Sequence, residues 1–184
     1  MSEPAVRRFY LSLGSNIEPA RHLPAAVKAL GQYGRIVAVS SAWESPPADG
    51  SDQAHYVNAA VLLEADLSPE EFCGQVIPSI EASLGRRRDP LDKYAPRTID
   101  IDLSLVDQDT LQIGHRRIPD PDILTRAFVV VPLAEIAPEY VHPQTGETLQ
   151  QIARRLWLSQ PSLVLRREIT REMNEARAAS KGLP

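Results

Sequence analysis

The segment Ala95-Pro96-Arg97-Thr98-Ile99-Asp100-Ile101-Asp102-Leu103 carries the residues of this chain best suited to chemistry. Read as a β-strand, its side chains alternate between two faces. Ile99, Ile101, Leu103 and Leu105 then share one face, and Thr98, Asp100, Asp102 and Ser104 share the other. Two residues of strand rise set Asp100 and Asp102 about 6.5–7 Å apart at the backbone. Their carboxylates can lean together and hold hard cations. Arg97 stands at the strand entrance, and Arg86-Arg87-Arg88 with Lys93 make the preceding loop basic. An acidic pair fed by a basic loop suits phosphoryl chemistry on a nucleotide. From the strand alone a second reading stays open, a half-buried strand with a solvated acidic face.

The bulk properties narrow the setting for that chemistry. At 184 residues, with 43% hydrophobic and 24% charged residues, the chain has the composition of one ordinary globular domain. A net charge of −4 argues against broad nucleic-acid binding, so the basic cluster reads as a site for a small anion. Cys73 is the only cysteine, which excludes an internal disulfide and points to a reducing compartment. No apolar run approaches the length of a membrane span and no secretory h-region opens the chain, so a cytoplasmic location is expected. The histidines show no metal-ligand spacing.

The elements that must position these residues follow from local signals. Val6 to Leu13 reads as a strand ending at the turn Gly14-Ser15-Asn16. Pro19 suits a helix start, and Leu23, Ala26, Val27 and Leu30 recur at helical spacing. Residues 35–43 alternate as a second strand. Ser45-Pro46-Pro47 through Asp52 is loop, and Tyr56 to Glu64 is a third strand. Ser68-Pro69-Glu70-Glu71 caps a helix that runs through Phe72, Val76, Ile80 and Leu84, with Pro78 expected to kink it. Residues 85–97 form the basic loop and 98–106 the Asp-bearing strand. This order implies an α+β fold with a ferredoxin-like βαββαβ core, an antiparallel sheet and additional C-terminal helices. Beyond it, 147–156 reads as a helix, and Val129-Val130-Val131 favours strand on propensity. The last 25 residues alternate in charge and suggest a frayed surface helix. Residues 1–158 are expected to form the working domain, with 159–184 a C-terminal extension.

Several motifs in order tie the chain to a family. They are Leu11-Ser12-Leu13-Gly14-Ser15-Asn16, Trp43-Glu44-Ser45-Pro46-Pro47, Tyr56-Val57-Asn58-Ala59-Ala60 and Ile80-Glu81 with Gly85-Arg86. Pro96-Arg97-Thr98-Ile99-Asp100-Ile101-Asp102 and Arg126-Ala127-Phe128 with Pro132-Leu133 follow. On these the chain resembles the 6-hydroxymethyl-7,8-dihydropterin pyrophosphokinases of folate biosynthesis, over roughly residues 8–156. The resemblance implies transfer of pyrophosphate from ATP to the pterin hydroxymethyl, with release of AMP. It implies two Mg²⁺ ions on Asp100 and Asp102, and catalytic roles for Arg86, Arg97, Asp100 and Asp102. Glu81, Arg86, Arg88, Arg97 and Arg126 are implied at the nucleotide, although for Glu81 a plain helix-surface acid is equally open. Ser45, Pro46, Tyr56, Asn58 and Phe128 are implied at the pterin, with Tyr56 and Phe128 sandwiching the ring and Asn58 reading its edge. The partners are then the two small substrates, with neither nucleic acid nor membrane and a monomer favoured. The resemblance also places a helix at Ala127 to Ala134, against propensity.

The departures from the family pattern are specific. Asp120 stands where a His is usual, and a carboxylate there repels phosphate; His115, Arg116 and Arg117 are the nearby cations. Tyr94 replaces a Trp, Ala95 a Gly, and the last 28 residues lie outside the resemblance. Two other readings stand beside the enzyme: a drifted relative that binds without catalysis, and another two-metal enzyme such as a nucleotide-sugar transferase.

Overall fold

The computed structural model describes residues 6–87, 95–160 and 162–180. Its centre is an antiparallel sheet of six strands. In chain order the strands are β1 (Arg7–Ser15), β2 (Arg35–Val39), β3 (Trp43–Ser45), β4 (Tyr56–Ala65), β5 (Asp100–Val106) and β8 (Val164–Leu165). They lie side by side as β5-β1-β4-β3-β8, with β2 pairing the far half of β4. Counting β2 and β3 as one interrupted strand gives the spatial order of the expected ferredoxin-like core. The single strand expected over 35–43 is thus two, broken at residues 40–42. There Ser40 turns its hydroxyl inward to accept from the Ala60 N–H at 2.8 Å. A hairpin of β6 (Leu111–Ile113) and β7 (Arg116–Ile118) pairs separately from the sheet and packs on its core through Ile118.

One sheet face is apolar along its whole length. Phe9, Leu11, Leu13, Val57, Val61, Leu63, Ile101 and Leu103 pack there against helix α1 (Pro19–Leu30) and the Pro69–Ser83 helical segment. That segment begins as α2 (Pro69–Glu71), capped by the Ser68 hydroxyl accepting from the Glu71 N–H at 3.1 Å. It passes through a π-helical turn, Phe72–Val76, and continues as α3 (Ile77–Ser83). The Ile77 N–H reaches back to the Phe72 carbonyl, so one residue more than an α turn is taken up just before Pro78. The kink expected at Pro78 therefore takes the form of this wide turn, which supplies the slack that a residue without an N–H needs.

The other face is covered only in part. Helices α4 (Ala127–Ile136) and α5 (Leu149–Ser159) lie over Tyr10, Ala60, Leu62 and Leu105. The Val129–Val131 run is helical, as the family resemblance implied, because tertiary burial outweighs a weak strand propensity. Leu105 corrects the alternation expected for its strand. Leu11 pairs Leu103 but Tyr10 pairs Leu105, so Ser104 and Leu105 together oppose one residue. This β-bulge moves Leu105 to the α4 face and away from Ile101 and Leu103.

The segment after α5 joins the same structure. β8 pairs the outer edge of β3, and α6 (Arg167–Ser180) lies beside α1 with Ile169 and Met173 in the core. The Arg166 N–H donates to the Ala42 carbonyl at 2.9 Å, and the Ala42 N–H donates to Thr170 Oγ1 at 2.9 Å. The outward face of α6 is charged and exposed, as its sequence implied.

Candidate active site

Where α4 and α5 stop, the second sheet face turns polar. Ser12, Gly14, Asn58, Asp100 and Asp102 project there in register, since Ser12 pairs Asp102 and Gly14 pairs both Asp100 and Asn58. Two cavities open over this patch. The larger, about 700 Å³, is walled by Arg86, Arg87, Arg97, His115, Arg116 and Arg117. The smaller, about 230 Å³, is walled by Ser45, Pro46, Tyr56, Asn58, Phe128 and Val129. Arg97, Asp100, Asp102, Asp120 and Asp122 belong to both, so the cavities meet at these side chains.

The cationic side is held by carboxylates. Arg86 Nη1 lies 2.5 Å from Asp100 Oδ1 and also pairs with Glu81. Glu81 is buried, and its Oε1 accepts the Ile101 N–H at 3.0 Å, which ties the end of α3 to the Asp-bearing strand. Arg97 Nη1 donates to Asp100 Oδ2 at 2.7 Å. The Arg97 backbone is clamped by Asn16, whose Oδ1 accepts its N–H at 2.8 Å and whose own N–H donates to its carbonyl at 3.2 Å. The turn expected at Gly14-Ser15-Asn16 therefore begins later: Gly14 and Ser15 continue β1, and Asn16, just past the strand end, places Arg97. Arg116 Nη1 donates to Asp102 Oδ1 at 2.6 Å.

The ionisation of these groups follows from crowding. Loss of solvation pushes the Asp102 carboxyl above its ordinary range, and Asp100 adds to this while Arg116 opposes it. Asp120 is pushed up to about 6, by burial first, with the Asp122 N–H working against it and Asp102 adding to it. Arg97 is held charged by Asp100 despite its burial. Crowded carboxylates on one wall of an open cavity fit a hard divalent cation with oxygen ligands.

The smaller cavity has a different character. Tyr56 and Phe128 give it aromatic walls and Pro46 and Pro47 an apolar rim. Asn58 Nδ2 donates to Ser45 Oγ at 2.9 Å, which orients the carboxamide at the cavity floor. A Cβ on Gly14 would stand 3.3 Å from Asn58 Oδ1, so glycine keeps that floor open. Burial raises the Tyr56 hydroxyl above its usual range, with Arg97 opposing.

Of the residues expected at the site, Arg86, Arg97, Asp100 and Asp102 converge, and Ser45, Pro46, Tyr56, Asn58 and Phe128 line one cavity together. Glu81 lies behind Arg86 instead of in a cavity wall. Arg126 starts α4 with an exposed side chain and lines neither cavity. Arg88, Lys93 and Tyr94 lie outside the described residues. Arg116 as the partner of Asp102 was not expected, and the basic pair Arg116-Arg117 after Gly114 was the only signal of it. Among the described residues no group of three or more His, Cys, Asp or Glu is arranged to enclose a metal by itself.

Residues 10–138 match the family model for 7,8-dihydro-6-hydroxymethylpterin-pyrophosphokinase (HPPK). A 2-amino-4-hydroxy-6-hydroxymethyldihydropteridine pyrophosphokinase of Synechocystis is 38% identical over 162 residues, covering 84% of this chain and 82% of the relative. One from Methylorubrum extorquens is 40% identical over 157 residues, covering 81% and 93%. Among solved structures, wild-type Plasmodium falciparum HPPK-DHPS with pterin and p-hydroxybenzoate superposes with a TM-score of 0.65 at 14% identity. That match covers 88% of this chain and 45% of the longer one, and it speaks to the fold alone. No helix among the described residues is long and apolar enough to cross a membrane. By these matches the chain belongs to the 7,8-dihydro-6-hydroxymethylpterin pyrophosphokinase family and is an ATP-dependent pyrophosphokinase.

Proposed function

We propose that the protein transfers the pyrophosphoryl group of ATP to the hydroxymethyl of 6-hydroxymethyl-7,8-dihydropterin, with the triphosphate in the larger cavity and the pterin in the smaller. The observation that carries this assignment is the wall the two cavities share. Arg97, Asp100 and Asp102 border both, so a nucleotide and a flat heterocycle bound side by side would meet at them. The hydroxymethyl oxygen attacks the β-phosphorus, the bond from that phosphorus to the α-phosphate bridging oxygen breaks, and AMP leaves. The hydroxyl proton passes to solvent or to a carboxylate at the junction.

Each residue has a physical part in this reading. Arg86 and Arg97 present guanidinium forks to the phosphate oxygens and offset charge that spreads as the phosphoryl group moves. Tyr56 and Phe128 offer π faces to the pterin, and Asn58 with Ser45 offers donor and acceptor to its edge. Glu81 sets the height of Arg86 instead of touching the nucleotide. Asp100 and Asp102 would hold two Mg²⁺ ions, which when bound neutralise the triphosphate and brace an in-line displacement. Residues 1–158 form the catalytic unit in this reading, and β8 of the following extension braces β3 from outside.

The test is product identity. With ATP, Mg²⁺ and the hydroxymethyl pterin, phosphorus NMR is expected to show AMP and a pterin diphosphate in equal amounts. Release of ADP, or AMP formation without pterin, overturns the assignment.

A further inference from the structure

The three arginines at the junction are not anchored alike. Arg86 is fixed by buried Glu81 as well as by Asp100, and the Arg97 backbone is clamped by Asn16. Arg116 has Asp102 as its one hydrogen-bonded side-chain partner among the described residues. It sits on β7 of the separate hairpin, where it lines the larger cavity, and that strand lies against β5. Its side chain is 20% exposed and that of Asp102 is 45% exposed, so the pair faces the cavity instead of being sealed in the core.

We infer that Arg116 is an exchange cation, which neutralises Asp102 while the site is empty and turns to the nucleotide phosphates when a divalent cation takes Asp102. A carboxylate whose Oδ1 is held by a guanidinium at 2.6 Å is a poor ligand for a metal ion arriving alone, because one oxygen is taken and the nearby positive charge repels the ion from the other. A metal ion arriving with a triphosphate brings its own anion. The displaced guanidinium already stands in the wall of the cavity that the triphosphate fills, and its fork suits phosphate oxygens. Arg116 thus discriminates against free cation and in favour of the metal–nucleotide complex. The contact couples the two ligands, and the coupling is reciprocal.

This inference rests on the reading of Asp102 as a metal-binding residue, and the two can fail separately. Mn²⁺ binding to the nucleotide-free protein is followed by electron paramagnetic resonance. Binding of the α,β-methylene analogue of ATP with Mg²⁺ is followed by calorimetry. Arg116→Met is expected to tighten Mn²⁺ about tenfold and to weaken the nucleotide analogue by a similar factor, within the usual span of coupling between sites. Arg116→Lys, which keeps the charge and loses the fork, is expected to leave Mn²⁺ binding near that of the parent while still weakening the analogue. Asp102→Asn is expected to weaken Mn²⁺; if it does not, the metal reading of Asp102 falls. If Asp102→Asn weakens Mn²⁺ but Arg116→Met fails to tighten it, or leaves the analogue unaffected, the exchange role falls alone. Weakening of both ligands by Arg116→Met would mark a plain packing residue and would also overturn the inference.

Discussion

The two ends of one sheet face use the same three strands for opposite purposes. At the end under α4 and α5, β1, β4 and β5 contribute Tyr10, Ala60, Leu62 and Leu105, all buried. A few residues along, the same strands contribute Ser12, Gly14, Asn58, Asp100 and Asp102 to open cavities. The β1–β4 ladder runs unbroken through both ends, while the β1–β5 ladder passes its bulge between them, so the difference lies in side chains, cover and that one register shift. The covered end gives the open end a rigid floor. The open end carries crowded carboxylates and an unfilled volume, features that cost stability and suit ligands.

That contrast can be broken from either side. The largest effect is expected for Asp100→Ala or Asp102→Ala, each lowering turnover roughly 10³-fold or more, since charge stabilisation at such a centre is worth several kcal/mol. Circular dichroism and thermal melting should show the fold retained, and near-parent turnover in either variant would remove these residues from the chemistry. At the covered end Leu105→Ala is expected to cost about 2–5 kcal/mol of stability in urea unfolding. Its kcat/KM at low temperature should stay close to the parent's; a large kinetic loss there would mean that the two ends are not separable.

Phe128 stands at the boundary, half-buried against the α4 cluster and lining the smaller cavity. Phe128→Ala should raise KM for the pterin by about tenfold or more while changing KM for ATP little, consistent with the value of an aromatic contact. Equal rises would assign it to the covered end. Asp120 gives the finest test, because its cost depends on pH. An unfolded Asp titrates near 3.9, and in the fold this one titrates at about 6. Between those values the folded protein holds an extra proton, so this group's contribution to stability falls as pH rises through that window and stays low above it. Asp120→Asn removes the penalty and keeps an acceptor for the Asp122 N–H. It is expected to stabilise by about 1–3 kcal/mol at pH 8 and by little near pH 4. A gain of equal size at both pH values would trace the effect to packing.

Much of the open end was legible in the residues themselves. Alternation alone set Asp100 and Asp102 on one face, and the Ser68 cap marked a real boundary, whereas the Gly14-Ser15-Asn16 signal came two residues early, since β1 runs on through Ser15. The pterin-side residues came from family resemblance, because Tyr56 and Phe128 have no local pattern that separates a cavity wall from a core. What stayed hidden depends on register or on distant partners. Leu105 was assigned to the wrong face because a bulge leaves no reliable mark in the sequence. Arg116 meets Asp102 only through the placement of a hairpin that strand signals cannot orient. Within the charged C-terminal segment, Ile169 and Met173 become core residues only because α1 lies beside them.

The π turn at Phe72–Val76 does more than accommodate Pro78. In an uninterrupted α-helix nine residues separate Phe72 from Glu81, a rotation of about 900°, which would aim Glu81 roughly 180° away from the buried phenylalanine. One extra residue in the turn takes back about 100°, and Glu81 swings round to face the sheet beside Ile80. The widened turn thus acts as a phase shifter, delivering an acid to the backbone of Ile101 and the guanidinium of Arg86 from a helix whose residue spacing would otherwise have left it in water. Straightening that turn to α while keeping every residue would lose the acid's address, whereas deleting one residue from it would leave eight α steps, again about 800°, and keep it.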